Sequence, residues 1–402
     1  MDPLQSLLSL SEQDKARLGV EATPAEIAQQ PEMWRDTARR FAEAAPAIGR
    51  LLAQSGEIVF AGAGTSDFIG RCVQGPVSAA LRTRAIACPT TDIVTHPQYA
   101  FPADRPALMV SFARSGNSPE SLAALEIALA ERPQVRHLVI TCNEQGDLAR
   151  RARELGHRAY VLALHPRTND RGLAMTSAFT SMVVAGLGLA YLDEMEEYVA
   201  SVDRLAAAGA SVLKTAAQIA ESLAKRRPAR ACFLGSGPLF GAAVESHLKL
   251  QELTDGKIIC LCDTFLGIRH GPRAAIHDDT LVVCFLSSDP QVRRYELDLV
   301  RSNRDQGLGL AHLIVADRRP DTGDLCCRAG TPLPAAVVEF DQEGNLALPD
   351  HLLAPVHTIV GQLLGLFCSL EHGLKPDTPS AAGAIHRVVQ GVTIYPRERK
   401  PQ

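Results

Sequence analysis

Long apolar runs, CxxC cysteine pairs and an excess of basic charge are all missing from this 402-residue chain. Without a stretch near the roughly 18 uninterrupted apolar residues that a span requires, and without a basic-then-apolar leader, no membrane partner is expected. Ten cysteines at other spacings offer no finger-type zinc site. Cys232, Cys260, Cys262 and Cys284 lie in apolar, strand-like runs, where a free thiol behaves as a small buried hydrophobe, so a reducing cytoplasm is expected. Cys260-Leu261-Cys262 and Cys326-Cys327 lack a His or Cys partner at ligand spacing, so no metal is expected either. A net charge of -4, with basic clusters only at Lys225-Arg226-Arg227 and in the 397–400 stretch, gives no field for nucleic acid. The dinucleotide fingerprint is broken as well: Asp67 stands where its last glycine would fall after Gly62 and Gly64, so no nicotinamide cofactor is expected.

What is present is a normal globular mix, 46% hydrophobic and 21% charged, over a length that accommodates two domains. The run Ala107 to Phe112 reads as a strand. It leads into Ser115-Gly116-Asn117-Ser118-Pro119-Glu120-Ser121 and then an alanine- and leucine-rich helix. Helix N-termini carry unpaired N–H groups and the positive end of the dipole, so a hydroxyl-lined loop at that point is a phosphate cradle. An N-cap serine with no ligand is the plain structural alternative. A second loop of the same kind, Gly62-Ala63-Gly64-Thr65-Ser66, follows the run Ile58 to Ala61. In a parallel sheet both loops lie along one edge, where ligands collect.

The chain also repeats itself. Phe60-Ala-Gly62-Ala-Gly64 falls on Phe233-Leu-Gly235-Ser-Gly237, and Leu108-Met-Val-Ser-Phe112 on Leu281-Val-Val-Cys-Phe285, both at a shift of 173 residues. His137-Leu-Val-Ile140 matches His312-Leu-Ile-Val315 at 175. A duplicated α/β unit follows, each copy a parallel sheet with helices on both faces, a three-layer αβα sandwich. The expected division is an N-terminal helical segment over 1–49 with Thr23-Pro24-Ala25-Glu26 as a start signal, a first unit over 50–200, a helical linker over 201–227, a second unit over 228–373, and a tail over 374–402. Strands are expected near 57–61, 107–112, 136–142 and 159–164, then near 231–235, 258–262, 281–286 and 311–316. The copies differ at their loops. Ser287-Ser288-Asp289 replaces the serines of the first cradle, and an aspartate there repels an anion, so only the first unit is expected to hold phosphate.

The second unit carries Glu245, Lys249 and Glu252 at spacings of four and three, one stripe of a helix. An exposed salt-bridged stripe and a catalytic carboxylate set both fit this spacing. Downstream, Arg269-His270-Gly271-Pro272 presents an imidazole in a turn, where a group titrating near neutral pH can move protons between a sugar ring oxygen and the anomeric hydroxyl.

These phrases, with Leu173-Ala-Met-Thr176, the 245–254 run and Arg387 to Tyr395, resemble the sugar isomerase (SIS) domain family. This is the duplicated phosphosugar fold found in the isomerase half of glucosamine-6-phosphate synthase. Within it the chain is most similar to the galactosamine-6-phosphate deaminase/isomerase group, also called tagatose-6-phosphate ketose/aldose isomerase. The resemblance implies phosphate contacts from Thr65, Ser66, Arg114, Ser115 and Ser118, and substrate contacts around Gly64, Asn117, Ala174 and Met175. It implies proton transfer by Glu252, ring opening by His270 reaching in from a neighbouring subunit, and support from Glu245 and Lys249. A homodimer or larger assembly with its site at the interface follows, with a sugar phosphate as the only ligand and no cofactor. Gln390 stands where the synthase has a tail lysine, and Ala113 replaces a phosphate-loop serine. Asp2 follows Met1, where the synthase's glutaminase has its cysteine, so hydrolytic release of ammonia from an amino-sugar phosphate is the expected direction. Isomerisation of a non-amino hexose phosphate and a non-catalytic sugar-phosphate sensor are the alternatives.

Overall fold

The computed structural model describes residues 2–101, 105–321, 325 and 335–396; Cys326-Cys327 and the 397–400 basic cluster lie outside them. Two five-stranded sheets form the frame. The first holds β1 (Glu57–Gly62), β2 (Arg84–Pro89), β3 (Ala107–Ala113), β4 (Arg136–Thr141) and β5 (Ala159–Ala163) in the order β2-β1-β3-β4-β5. The second holds β6 (Arg230–Leu234), β7 (Ile259–Asp263), β8 (Thr280–Phe285), β9 (Ala311–Ala316) and β10 (Ala335–Glu339) in the order β10-β9-β8-β6-β7. Numbered within its own copy, the second order is again 2-1-3-4-5, and every pairing is parallel. β1, β3, β8 and β9 are buried along their whole length, as strands covered by helices on both faces must be. The sequence reading missed β2 and β10. Both are edge strands with mostly half-buried residues, so neither requires the continuous apolar run that marks a central strand.

The duplication extends to backbone detail. Gly64 has φ 55° and ψ −125°, and Gly237 has φ 52° and ψ −126°, a combination open to glycine and strained for other residues. A side chain at Gly62 would meet Ser66 at 2.3 Å, and one at Gly235 would meet Leu239 at 2.4 Å. Each strand therefore turns into its helix over a glycine that nothing larger can replace.

Those two helices, Thr65–Leu81 and Pro238–Leu253, pack directly on each other across the copies. They touch at Gly241, where a Cβ would lie 2.5 Å from Cys72 Sγ. The Asp350–Glu371 helix lies against Pro238–Leu253 with equal closeness, Gly361 against Ser246. It is long and apolar enough to cross a membrane, but its apolar window is wholly buried in the protein. One continuous apolar cluster runs from Ile58 and Phe112 in the first sheet to Phe233 and Phe285 in the second.

The N-terminal residues are helical, as expected, but the start signal at Thr23 works differently. The helix Thr23–Ala28 receives its cap from the tail: Asp377 accepts hydrogen bonds from Ala22 N at 2.9 Å, Thr23 N at 2.8 Å and Thr23 Oγ1 at 2.6 Å. The linker helix is longer than read, Met195–Ala224.

His137 and His312 occupy matching positions near the starts of β4 and β9, fully buried, with no hydrogen-bond partner on either ring nitrogen among the described residues. Burial pushes each imidazole down to about 4, with Arg158 adding to the effect at His137 and Arg304 at His312. Below about pH 6.5 the unfolded chain gains protons at these positions that the folded chain refuses, so stability falls as pH drops from 6.5 towards 4, by up to about 1.4 kcal/mol per pH unit per histidine. The double variant His137→Leu/His312→Leu is expected to show a melting temperature that declines less steeply over that window. Calorimetric scans at matched pH values check this, and parallel slopes for the two proteins would refute it.

Candidate active site

β1 and β3 are neighbours with Ala61 opposite Ser111, so the loops at their carboxyl ends, 62–66 and 114–118, lie side by side where the strand order reverses. No side chain caps the Thr65–Leu81 helix among the described residues. Within its first turn Ser66 N donates to Ala63 O at 3.1 Å and Asp67 N to Gly64 O at 2.9 Å, and Thr65 and Ser66 are buried. In the adjoining loop Ser118 is the N-cap of the Pro119–Glu131 helix, accepting from Ser121 N at 3.3 Å, with its Oγ 2.7 Å from Ser121 Oγ. Ser115 Oγ accepts from Asn117 N at 3.3 Å, and the exposed Asn117 accepts from Asp147 N at 3.0 Å.

The second copy fills its corresponding loops with its own carboxylates. Asp289 caps the Pro290–Asp305 helix by accepting from Gln291 N at 2.7 Å and Val292 N at 3.3 Å. Asp350 takes Ser288 N at 2.6 Å and the hydroxyls of Ser287 and Ser288. Glu296 takes Ser287 N at 2.7 Å. Three carboxyl groups of the second copy thus occupy donors of its own loop, whereas residues 62–66 and 114–118 of the first copy include no carboxylate.

The helix Pro238–Leu253 carries its acidic and basic stripe inward, not to solvent. Lys249 is 1% exposed and Glu245 fully buried, while Glu252 keeps a 23% exposed side chain. Lys249 Nζ lies 2.5 Å from Glu252 Oε2, 3.4 Å from Glu245 Oε1 and 3.0 Å from Thr65 Oγ1. One ammonium therefore joins two carboxylates of the second copy to the first hydroxyl of the first copy's glycine loop. Burial pushes Glu245 up to about 8, against the pull of the Lys249 charge. For Lys249 burial acts downward, but Glu245 and Glu252 outweigh it and leave the ammonium above its ordinary value.

Arg114 is placed otherwise than a simple phosphate ligand. Its guanidinium is buried and donates to the carbonyls of Gly172 at 3.2 Å and Leu173 at 3.0 Å, and to that of Arg387 in the tail. Ala174 and Met175 follow directly and are buried. His270 ends the short helical turn Gly267–His270, exposed and without a hydrogen bond to the Lys249 cluster. Gln390 is also exposed. The structure thus brings Thr65, Glu245, Lys249 and Glu252 together within one chain and leaves His270 apart. Glu26, Asp170, Asp377 and Arg387, which hold the 170–173 segment, were not singled out as site residues; their partners lie too far away in sequence for spacing to reveal them.

A SIS domain model matches residues 51–192. A D-galactosamine-6-phosphate deaminase AgaS of Escherichia coli is 36% identical over 383 residues, covering 93% of this chain and 95% of that protein. The crystal structure of a tagatose-6-phosphate ketose/aldose isomerase from Escherichia coli superposes with a TM-score of 0.83 at 33% identity, covering 94% of this chain and 97% of that one. The C-terminal domain of a glucosamine-fructose-6-phosphate aminotransferase from Francisella tularensis shares the fold at a TM-score of 0.73 and 19% identity, over 88% of this chain and 97% of that one.

Removing Lys249 strands two carboxylates beside each other. Lys249→Met is expected to cost about 3–5 kcal/mol at neutral pH. The loss should stay nearly level from pH 5 to 8, where burial keeps Glu245 protonated in both folded proteins, and grow above about pH 8, where the wild type releases that proton beside the ammonium and the variant does not. The pair Lys249→Met/Glu245→Gln should recover part of that loss. Urea titrations across the pH range are the measurement, and a pH-independent cost would show that the ammonium does not balance these acids.

Proposed function

Because the chain belongs to the sugar isomerase (SIS) domain family, we propose that it is an amino-sugar phosphate deaminase/isomerase converting galactosamine 6-phosphate to tagatose 6-phosphate and ammonia. The observation that carries this reading is the bond from Lys249 to both Thr65 and Glu252, which sets a proton-transferring carboxylate beside an uncapped, hydroxyl-lined helix start. The phosphate binds the amides and hydroxyls at Gly64, Thr65, Ser66, Ser115 and Ser118, with Asn117 at the rim. Arg114 and the backbone of Ala174 and Met175 border the sugar.

In the open-chain aldehyde form Glu252 removes the proton from C2 while O1 takes up a proton, giving an enolamine, and then returns its proton to C1 while the C2 amine gives one up. The product is a C2 ketimine with a C1 hydroxymethyl group. Water adds to C2, and the C2–N bond breaks as ammonia leaves, so the ketose phosphate forms with no redox change. Lys249 fixes the Glu252 carboxylate by a 2.5 Å bond, and Glu245 holds Lys249 from behind. His270 serves ring opening from a second copy of the chain, in keeping with its exposed place away from its own Glu252. A homodimer or larger assembly follows from that arrangement. The eight described cysteines are free, and most of them buried, which fits a reducing, cytoplasmic setting.

The same proton shift on a non-amino aldose phosphate is a second reading, favoured by the ketose/aldose isomerase name of the solved relative. Ammonia release and keto-sugar formation, followed in parallel on galactosamine 6-phosphate, glucosamine 6-phosphate and galactose 6-phosphate, separate the two. Turnover with ammonia on the galacto amine is expected. Glu252→Gln should lower kcat by about 10²–10⁴-fold with little change in KM, the size of a general acid–base contribution. Full turnover by that variant would eliminate the mechanism.

A further inference from the structure

The segment between β5 and the Ser177–Leu187 helix is held by charged groups from both ends of the chain. From the N-terminal side, Glu26 accepts from Arg171 N at 2.5 Å and Gly172 N at 3.3 Å. From the tail, the Asp377 carbonyl accepts from Leu173 N at 3.0 Å, while its carboxylate caps the helix that carries Glu26. Arg387 donates to Asp170 O at 2.8 Å and Asn169 Oδ1 at 2.7 Å, and its own carbonyl receives Arg114. Inside the segment, Asp170 takes Thr176 N at 2.7 Å and Ala178 N at 2.8 Å. Gly172 allows the approach: a Cβ there would meet Thr23 Oγ1 at 2.9 Å and Glu26 Oε2 at 3.1 Å.

This is an expensive way to hold a loop. Burial first, then Asp170 and Asp377, push Glu26 up to about 7. A turn that needed only a surface position would be held more cheaply by water. What the arrangement supplies is a segment whose amides and carbonyls at 170–173 are almost all committed, immediately before Ala174 and Met175 and directly against Arg114 of the phosphate loop.

We propose that Glu26 and Asp377 are positioning residues for the sugar-phosphate site. Acting through Arg171, Gly172 and Leu173, they fix the backbone that borders the sugar, and the carbonyls of Gly172 and Leu173 in turn hold Arg114 of the phosphate loop. This rests on the reading of the site as a sugar-phosphate site and makes the N-terminal helical segment and the tail parts of it. Neither residue touches the reacting atoms.

The test uses the full-length chain carrying Glu26→Ala, Glu26→Gln, Asp377→Ala or Asp377→Asn. Affinity for galactitol 6-phosphate, which has no carbonyl to react, is measured by calorimetry alongside KM and kcat on galactosamine 6-phosphate and the melting temperature. Both alanine variants should raise Kd and KM by about tenfold or more with kcat within about threefold, since misplacing a binding surface by about 1 Å has costs of that order and above. The Gln and Asn variants, which keep an acceptor, should fall between. Unchanged Kd and KM alongside a lowered melting temperature would overturn the inference, because that is the signature of a structural brace alone. If the alanine variants do not fold, the Gln and Asn variants decide, a Kd equal to wild type counting against. Should the wild-type chain bind galactitol 6-phosphate but release no ammonia, the deaminase reading falls while the Kd ratios still judge this one.

Discussion

A single buried ammonium holds the two halves of this protein in working register. Lys249 leaves water almost completely, and a lone charge in that position would be prohibitive. It is tolerable because Glu252 lies at 2.5 Å, Glu245 at 3.4 Å and Thr65 Oγ1 at 3.0 Å. The three partners come from two copies of one fold, so the charge is satisfied only when the Pro238–Leu253 helix is seated against the Thr65–Leu81 helix. Gly241 beside Cys72 permits that seating. The packing of two helices and the assembly of this buried polar cluster are one event here.

Duplication supplied two equal glycine turns and divergence made them unequal. Gly64 and Gly237 keep the same dihedrals to within a few degrees, so the backbone of both cradles survives. What changed is occupancy of the donors. Asp289, Asp350 and Glu296 are bound by the second loop itself, whereas the first loop, 114–118, holds Arg114, two serines and an asparagine and no carboxylate. An intramolecular carboxylate is present at high effective concentration and cannot diffuse away, so it excludes phosphate more surely than a bulky side chain would. The second copy contributes its first helix as the carrier of Lys249 and Glu252.

Much of this was legible in the residues. The repeat at 173 located the central strands of both sheets, because glycine turns and apolar central strands leave marks that survive divergence. The edge strands β2 and β10 left no such mark, since Arg84 and Pro89 can stand at an edge where most residues are only partly buried. The Glu245, Lys249 and Glu252 spacing located a stripe without saying whether it faced water or protein. That depends on a partner helix more than 150 residues earlier, which local periodicity does not contain. The partners of Arg114 were hidden for a related reason: its guanidinium donates to the carbonyls of Gly172, Leu173 and Arg387, whose approach is set by tertiary structure.

The convergence of both chain ends on the 170–173 segment explains why the first unit needs residues outside its own sheet. A βα loop beside a phosphate cradle carries several amides and carbonyls that helix and sheet do not satisfy. Left to water, they would let the loop sample many positions, and the entropy of fixing it would be charged to each binding event. Glu26 and Asp377 bind some of those groups during folding, Asp377 also completing the helix on which Glu26 sits. Arg387 and Arg114 extend the same network into the phosphate loop. The cost of ordering is thereby met once, in the folding of the chain, and the cradle meets its ligand already shaped.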